Sequence, residues 1–136
     1  MWTQRFDLHS HSTNSDGQHE VDDVAEMMEE QGVSVWALTD HDTTSGWKQA
    51  AIAAASRGIQ FIPGVEITCT PAHPPMPEVL KARGQERASS SWHLLAYFPR
   101  HHPAVSETAV DAFKQWLMPR QLGREPRMRL MCARLE

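Results

Sequence analysis

Apolar positions along this chain fall into short continuous runs separated by segments of helical periodicity. Short apolar runs bounded by glycine and polar residues are typical of buried strands. Apolar positions that recur three and four residues apart predict helices over 21–31 and 44–57, and the first of these buries Val21, Val24, Ala25 and Met28. The predicted strands are a segment around His9, then 33–39, 59–65 and 92–98.

The order strand, helix, strand, helix at this spacing predicts βαβ units. Such units build a parallel sheet that helices cover. The predicted fold class is therefore α/β, with about four parallel strands and flanking helices. Gly32 and Gly58 each follow a predicted helix, at the position where a glycine commonly ends one.

Polar residues with metal-binding side chains follow or flank these predicted strands. His9 and His11 are two residues apart, so an extended strand points both imidazoles to the same face. In parallel α/β barrels, functional side chains gather at the carboxyl ends of strands. His93 lies nearer the start of its strand, so that rule does not place it. The pattern predicts a metal-dependent enzyme or a piece of one, with candidate ligands His9, His11, Asp16, His41, Glu66 and His93.

Four motifs resemble those of the polymerase and histidinol phosphatase (PHP) superfamily. They are DLHSHSTNSDG at 7–17, LTDHDT at 38–43, PGVEIT at 63–68 and HLLAY at 93–97. The likeness is closest to small bacterial phosphoesterases that act on nucleotides, including AMP and nucleoside 3′,5′-bisphosphate phosphatases and RNA 5′-end trimming enzymes. The resemblance implies the amino-terminal part of a distorted (β/α)7 TIM-like barrel, so residues 1–136 are interpreted as a partial PHP domain.

The resemblance also implies a ligand set for two or three divalent ions, Mn²⁺, Fe²⁺ or Zn²⁺. Mixed nitrogen and oxygen ligands suit all three metals. By this likeness, His9 and His11 bind a first ion. Glu66 bridges that ion to a second one, which also takes His93.

The third ion of the implied set would be bound by Asp16 and His41. Asp16, His41 and Glu66 are then the residues with catalytic roles. Neighbouring carboxylates are expected to orient the imidazoles through their free ring N–H groups. The carboxylates with that expected role are Asp7, Asp40 and Asp42.

The predicted function is hydrolysis of a nucleotide or oligonucleotide phosphoester by a metal-activated water. The partner is then a phosphorylated small molecule or a short oligonucleotide. Residues 69–136 carry ten basic and six acidic side chains, against three and eleven in 1–68, and cations are expected beside a phosphorylated substrate. The alternatives are a catalytically incomplete metal-binding fragment, a histidinol-phosphatase-like enzyme and a polymerase-associated exonuclease domain.

Length and composition narrow the class of protein. At 136 residues a single domain is expected. No apolar run approaches the roughly 20 residues needed to span a bilayer, and the first residues lack the apolar core of a signal peptide, so a cytoplasmic location is predicted. Cys69 and Cys132 are far apart and lack CxxC spacing, which favours buried thiols over a disulfide or zinc site.

Two segments and one surface complete the sequence prediction. Residues 70–91 contain several prolines and predict an irregular loop near the active-site mouth. Residues 103–136 predict a helical tail, whose pattern Pro119, Gly123 and Pro126 interrupt. A barrel of about four strands leaves an open edge, which predicts self-association. The inward side chains expected to lack partners are Trp36, Leu38, Ile62, Val65 and Leu95.

Overall fold

The protein folds as a sheet with helices packed against it, which confirms the α/β class. The computed structural model describes residues 5–69 and 92–132, with side chains described up to Arg120 and at Leu122. The predicted loop over 70–91 and the last residues of the predicted tail, 133–136, lie outside the described residues. The strands are β1 (Arg5–Ser10), β2 (Val33–Leu38), β3 (Gln60–Cys69) and β4 (Trp92–Tyr97), and the helices are α1 (Val21–Glu30), α2 (Trp47–Ser56) and α3 (Glu107–Cys132).

The described strands form one sheet in the order β1-β2-β3-β4. β1 pairs in parallel with β2, and β2 pairs in parallel with β3. The connections carry α1 and α2, so the first three strands are the βαβ units that the sequence predicts. Gly32 and Gly58 have φ values of +68° and +67°, the left-handed conformation expected just after a helix.

The fourth strand runs in the opposite direction from the prediction. β4 pairs antiparallel with β3, in a register that places Thr68 opposite His93 and Glu66 opposite Leu95. The prediction of four parallel strands is therefore wrong for β4. Because of this reversal, the amino end of β4 lies beside the carboxyl end of β3, where the first three strands present their polar residues.

The main core lies between the sheet and the first two helices. Trp36 and Leu38 are fully buried there, and the Trp36 ring lies 5.4 Å from the Phe61 ring. α2 contributes small residues, Ala50, Ala53 and Ala54, which let its backbone approach the sheet closely. The predicted inward face of α1 is confirmed, since its buried residues are Val21, Val24, Ala25 and Met28.

A second cluster joins β3 to α3. Val65 and Ile67 pack there against Leu117, which is fully buried. Trp36, Leu38 and Val65 thus have partners, and the prediction that they lack them is wrong. The error lies in the choice of face, because side chains alternate along a strand and these three point to the helices. Ile62 and Leu95, which point to the other face, are half-buried.

α3 is continuous from Glu107 to Cys132. The expected interruption at Pro119 and beyond is wrong, since a proline removes only one helical N–H and a long helix can bend around it. Within the parts of the chain that the structure describes, no helix combines the length and apolar character needed to cross a membrane.

Candidate metal centre

The carboxylate of Glu66 lies at the centre of a cluster of imidazoles. Its Oε2 is 2.8 Å from His9 Nε2, 3.0 Å from His11 Nε2 and 3.7 Å from His41 Nε2. Its Oε1 is 2.7 Å from His93 Nδ1. A single buried carboxylate therefore gathers side chains from β1, the end of β2 and β4.

A second carboxylate, that of Asp16, approaches two of the same imidazoles from the loop between β1 and α1. Its Oδ1 is 3.4 Å from His11 Nδ1, and its Oδ2 is 3.4 Å from His41 Nε2. The His11 and His41 rings are stacked, with centroids 4.8 Å apart and an interplanar angle of 29°. His11 thus meets Glu66 through Nε2 and Asp16 through Nδ1, whereas His41 approaches both carboxylates through Nε2.

The local backbone explains how His41 reaches this position. His41 forms an isolated parallel bridge with Glu66, so the chain just after β2 still follows β3. Asp42 then turns the chain, with a φ of 52° that non-glycine residues adopt rarely. Its amide donates to the Glu66 carbonyl at 3.0 Å, and its Oδ1 accepts from the Thr68 amide at 2.8 Å. These bonds fix His41 beside Glu66.

The reversed direction of β4 explains the position of His93. His93 is the second residue of β4 and is paired with Thr68 near the carboxyl end of β3. Side chains two residues apart on a strand share a face, so Thr68 and Glu66 face the same side as His93. The position of His93 near the start of its strand is not explained by a parallel sheet. It follows from the antiparallel direction of β4.

The loop that carries Asp16 folds back tightly against the end of β1. The amides of Ser15 and Gly17 both donate to the Ser12 carbonyl at 3.0 Å. A Cβ at Gly17 would lie 2.6 Å from the carbonyl carbon and oxygen of His11, closer than real Cβ atoms approach. Only glycine therefore fits next to Asp16 in this loop as it stands.

The electrostatic setting of Glu66 favours its charged form. Burial alone would raise the pKa of this carboxyl group. Hydrogen bonds from His9 and His93 and the neighbouring His41 outweigh burial, so the pKa lies below its ordinary value of 4.5. A carboxylate that stays charged beside several imidazoles is a donor set suited to a divalent cation.

The six predicted ligands are brought together in three overlapping groups. Within each group, the candidate ligand atoms lie within 4.8 Å of one another. The groups share Glu66, His11 and His41, and all donors are imidazole nitrogens or carboxylate oxygens, which fit Mn²⁺, Fe²⁺ or Zn²⁺. The groups are His9–His11–Glu66, His11–Asp16–His41 and His41–Glu66–His93.

The expected imidazole-orienting role does not match the hydrogen bonds of Asp7 and Asp40. Asp7 Oδ1 accepts from the backbone amide of His9 at 3.2 Å. Asp40 accepts from Ser12 and Ser15, and Asp42 accepts from the backbone of Thr68. Ser12 and Ser15 were not predicted as part of the site, although both stand within the DLHSHSTNSDG motif that carries the ligands.

Tyr97 is a further residue beside the cluster that was not predicted from the sequence. Its hydroxyl donates to the Leu8 carbonyl at 2.7 Å, which ties β4 to β1 beside the cluster. Burial, reinforced by the nearby carboxylates of Asp7 and Glu66, raises the pKa of Tyr97. The HLLAY motif contains this tyrosine, which is the only tyrosine of the chain.

Comparison with curated proteins finds phosphoesterases and nucleases. Over 66 residues the chain is 48% identical to a 5′-3′ exoribonuclease of Haemophilus influenzae, a segment that spans 48% of this chain and 24% of the relative. Over 63 residues it is 47% identical to a 3′,5′-nucleoside bisphosphate phosphatase of Chromobacterium violaceum, spanning 46% of this chain and 22% of the relative. The chain thus matches about a quarter of the length of these relatives.

Comparison with solved structures supports the α/β fold. An amidohydrolase from Chromobacterium violaceum, solved with bound sulfate and no metal, superposes with a TM-score of 0.70 at 30% identity, covering 96% of this chain and 38% of that one. A protein from Bifidobacterium adolescentis described as a metal-dependent phosphoesterase has a TM-score of 0.55 at 26% identity, covering 80% of this chain and 33% of that one. Both matches agree with the predicted partial barrel.

The family of the chain follows from a sequence match to a domain family. The PHP domain family matches residues 7–121, a range that contains every one of the candidate ligands described above. That match shows that the chain belongs to the PHP domain family.

Proposed function

We propose that this chain is part of a metal-dependent phosphoesterase that hydrolyses a nucleotide or oligonucleotide phosphate. The observation that carries the proposal is the single buried Glu66 carboxylate, with both oxygens in contact with imidazoles and the Asp16 carboxylate close to two of the same imidazoles. The cluster is polar, and imidazole nitrogens and carboxylate oxygens face one another in it. It has the composition and spacing of a site for more than one divalent cation.

Each proposed set of ligands lies within one of the three groups of donor atoms. His9 and His11 hold one ion with Glu66, Glu66 and His93 hold a second, and Asp16 and His41 hold a third. Divalent ions bound there would supply Lewis acidity to a water and to phosphate oxygens. The donor set suits Mn²⁺, Fe²⁺ and Zn²⁺, and metal analysis of the purified chain would identify which is bound.

Differences in exposure indicate the side from which a substrate approaches. The Glu66 side chain is 7% exposed, whereas those of Asp16, His9 and His93 are 61%, 51% and 43% exposed. Glu66 therefore forms the floor of the cluster and the other three its rim. We place the phosphate at this rim, with Asp16, His41 and Glu66 as the residues on which catalysis depends.

The substrate class rests on the relatives. The names of the curated relatives give a nucleoside bisphosphate and RNA as what those proteins act on. Both carry phosphate groups on ribose, so we propose a nucleotide or short oligonucleotide for this chain. Histidinol phosphate is the substrate class that a histidinol-phosphatase-like domain would prefer instead.

The test is metal-dependent phosphate release by the purified chain. The chain is treated with a chelator, reloaded with Mn²⁺, Fe²⁺ or Zn²⁺, and given a nucleoside 3′,5′-bisphosphate, a 5′-phosphorylated short RNA or histidinol phosphate. We expect release from the first two only after reloading. His41→Ala should abolish it, whereas His101→Ala, on an exposed histidine outside the cluster, should not.

The outcomes separate the alternatives. Metal-dependent release that survives in His41→Ala contradicts the assignment of the site. Preference for histidinol phosphate supports the histidinol-phosphatase-like reading. Uptake of metal without turnover of any substrate supports a metal-binding fragment that needs further chain to act.

We also propose that the chain associates with itself through its outer strands. In the described sheet, β1 pairs only with β2 and β4 pairs only with β3. Phe6 is 59% exposed and Leu94 is 58% exposed, which leaves apolar surface on both strands. Sedimentation velocity over a range of concentrations tests this. A single monomeric species throughout would contradict it.

A further inference from the structure

We propose that Asp40 is a positioning residue that ties the Asp16 loop to the end of β2 and so sets the distance between Asp16 and His41. The inference rests on the proposed function, because it concerns two of the proposed ligands. Asp40 directly precedes His41 in the chain and is only 2% exposed. Its carboxylate points to the loop, away from solvent.

Both oxygens of Asp40 accept hydrogen bonds from that loop. Oδ1 accepts from the Ser12 amide at 2.7 Å and from the Ser15 hydroxyl at 2.7 Å. Oδ2 accepts from the Ser12 hydroxyl at 2.7 Å. Short bonds from several donors to one buried carboxylate are strong and hold a fixed geometry.

The Asp16 side chain has few close contacts of its own. Its side chain is 61% exposed, and its contacts with His11 and His41 are both 3.4 Å long. The neighbouring Ser15 bonds Asp40 at 2.7 Å but Asp16 only at 3.3 Å. Asp40 therefore anchors the residue directly before Asp16, and the loop carries that constraint to the Asp16 carboxylate.

The hydrogen bonds of the Ser12 hydroxyl require that Oδ2 of Asp40 be an acceptor. The Ser12 hydroxyl already accepts from the Asn14 amide at 3.2 Å and from Asn14 Nδ2 at 3.0 Å, so its own proton must be donated elsewhere. An amide nitrogen in place of Oδ2 would bring a third donor to this hydroxyl. Asp40→Asn should therefore disrupt the loop although the two side chains have nearly the same shape.

The same network extends to the loop after β2. Asn14 Oδ1 accepts from the Ser45 hydroxyl at 3.1 Å, and that hydroxyl lies 2.8 Å from Thr43 Oγ1. Asp40 is thus the buried end of a chain of polar contacts that joins the Asp16 loop to the loop after β2, which carries His41. A shift of one loop is resisted by the other.

The experiment measures metal affinity in a double-mutant cycle. The purified chain, Asp40→Asn, Asp16→Ala and the double variant are titrated with Co²⁺ alone, and the visible spectrum reports the ligands that the ion gains. The binding phase that Asp16→Ala weakens most identifies the ion that depends on that loop. Asp22→Asn is the matched control, since Asp22 also accepts a side-chain hydrogen bond, from Gln49 at 2.7 Å, but on α1.

We expect Asp40→Asn to weaken the Asp16-dependent phase by about 10- to 100-fold, the usual effect of losing a residue that supports a ligand. In the Asp16→Ala background it should have no further effect beyond about twofold, because its influence passes through Asp16. Asp22→Asn should bind Co²⁺ like the unchanged chain. If Asp40→Asn does not fold, Ser15→Ala removes one bond to Asp40 and should weaken the same phase to a smaller extent.

Three results would overturn the inference. One is an unchanged Asp16-dependent phase in both Asp40→Asn and Ser15→Ala. Another is an equal loss with and without Asp16, which would show a general effect on folding. The third is an unchanged chain that takes up no Co²⁺, and this result alone would overturn the proposed metal site as well.

Discussion

Replacement of Gly17 by alanine is the sharpest test of how the loop between β1 and α1 is built. An added Cβ would lie 2.6 Å from the carbonyl carbon and oxygen of His11 and 2.7 Å from the Ser12 amide nitrogen. All three are backbone atoms of the segment that follows β1, so they cannot rotate away as a flexible side chain can. The loop itself must move, and Asp16 is the adjacent residue.

The size of the effect follows from the overlap. Non-bonded carbon atoms rest about 3.5–4.0 Å apart, so the Gly17→Ala loop must open by roughly 1 Å. Inserting one methyl group into a packed site typically costs about 1–3 kcal/mol. For a domain of this size each kcal/mol lowers the melting temperature by roughly 3–6 °C. Displacement of Asp16 should also weaken Co²⁺ or Mn²⁺ binding.

The matched control is Gly32→Ala, after α1. Among the residues that the structure describes, no atom lies within 4 Å of a Cβ added there, but the φ of +68° is unfavourable for alanine. That strain costs about 1–2 kcal/mol, so both variants should have a lower melting temperature. Only Gly17→Ala should lose metal affinity. Thermal unfolding with and without metal measures the two effects. Equal metal affinity in both variants would refute the reasoning.

Three further predictions concern the core, the strand contact and acid stability. Leu117→Ala should cost about 2–5 kcal/mol in urea unfolding, because Leu117 is fully buried against β3; a loss below 1 kcal/mol would show that α3 is loosely packed. Tyr97→Phe should cost about 0.5–1 kcal/mol, since it removes the exposed bond to Leu8 and water can replace it; melting curves identical to those of the unchanged chain would contradict this. Burial alone would raise the pKa of Glu66, but its imidazole partners lower it overall. A lowered carboxyl pKa contributes stability above the ordinary value of 4.5, and this contribution is lost as pH falls through the lowered pKa. The metal-free chain should therefore lose stability as the pH falls from 6 to 3, and the Glu66→Gln variant should lose less. Equal acid sensitivity of the variant and the unchanged chain would exclude Glu66 as the source of the loss.

Local patterns in the sequence were sufficient to predict the elements and the composition of the cluster. The spacing of His9 and His11 gives a shared face on any extended strand. The apolar run before His41 identifies the end of β2, whereas the predicted strand end before Glu66 is wrong, because β3 continues to Cys69. All of these are properties of residues close together in the chain. They do not depend on the path that the chain takes between elements.

The direction of β4 could not be predicted in the same way. The pattern of 92–98 is compatible with a strand of either direction, and the direction depends on how the chain passes from Cys69 to Trp92. The role of Asp40 was missed for a related reason. Whether its carboxylate meets an imidazole or a serine depends on the folded path of the 11–17 loop, which adjacent residues in the sequence do not reveal.

The central position of Glu66 has a consequence for the kinetics of folding. Its bonds to His93 and His9 close chain segments of 27 and 57 residues, and the Tyr97 bond to Leu8 closes one of 89. Contacts between residues so distant in sequence form slowly, because the chain entropy must be lost before the contacts stabilise it. The complete set of donors around Glu66 therefore exists only after β1, β3 and β4 have docked. An intermediate that lacks either outer strand would hold a metal ion less tightly, so metal uptake during refolding would report when both outer strands have docked.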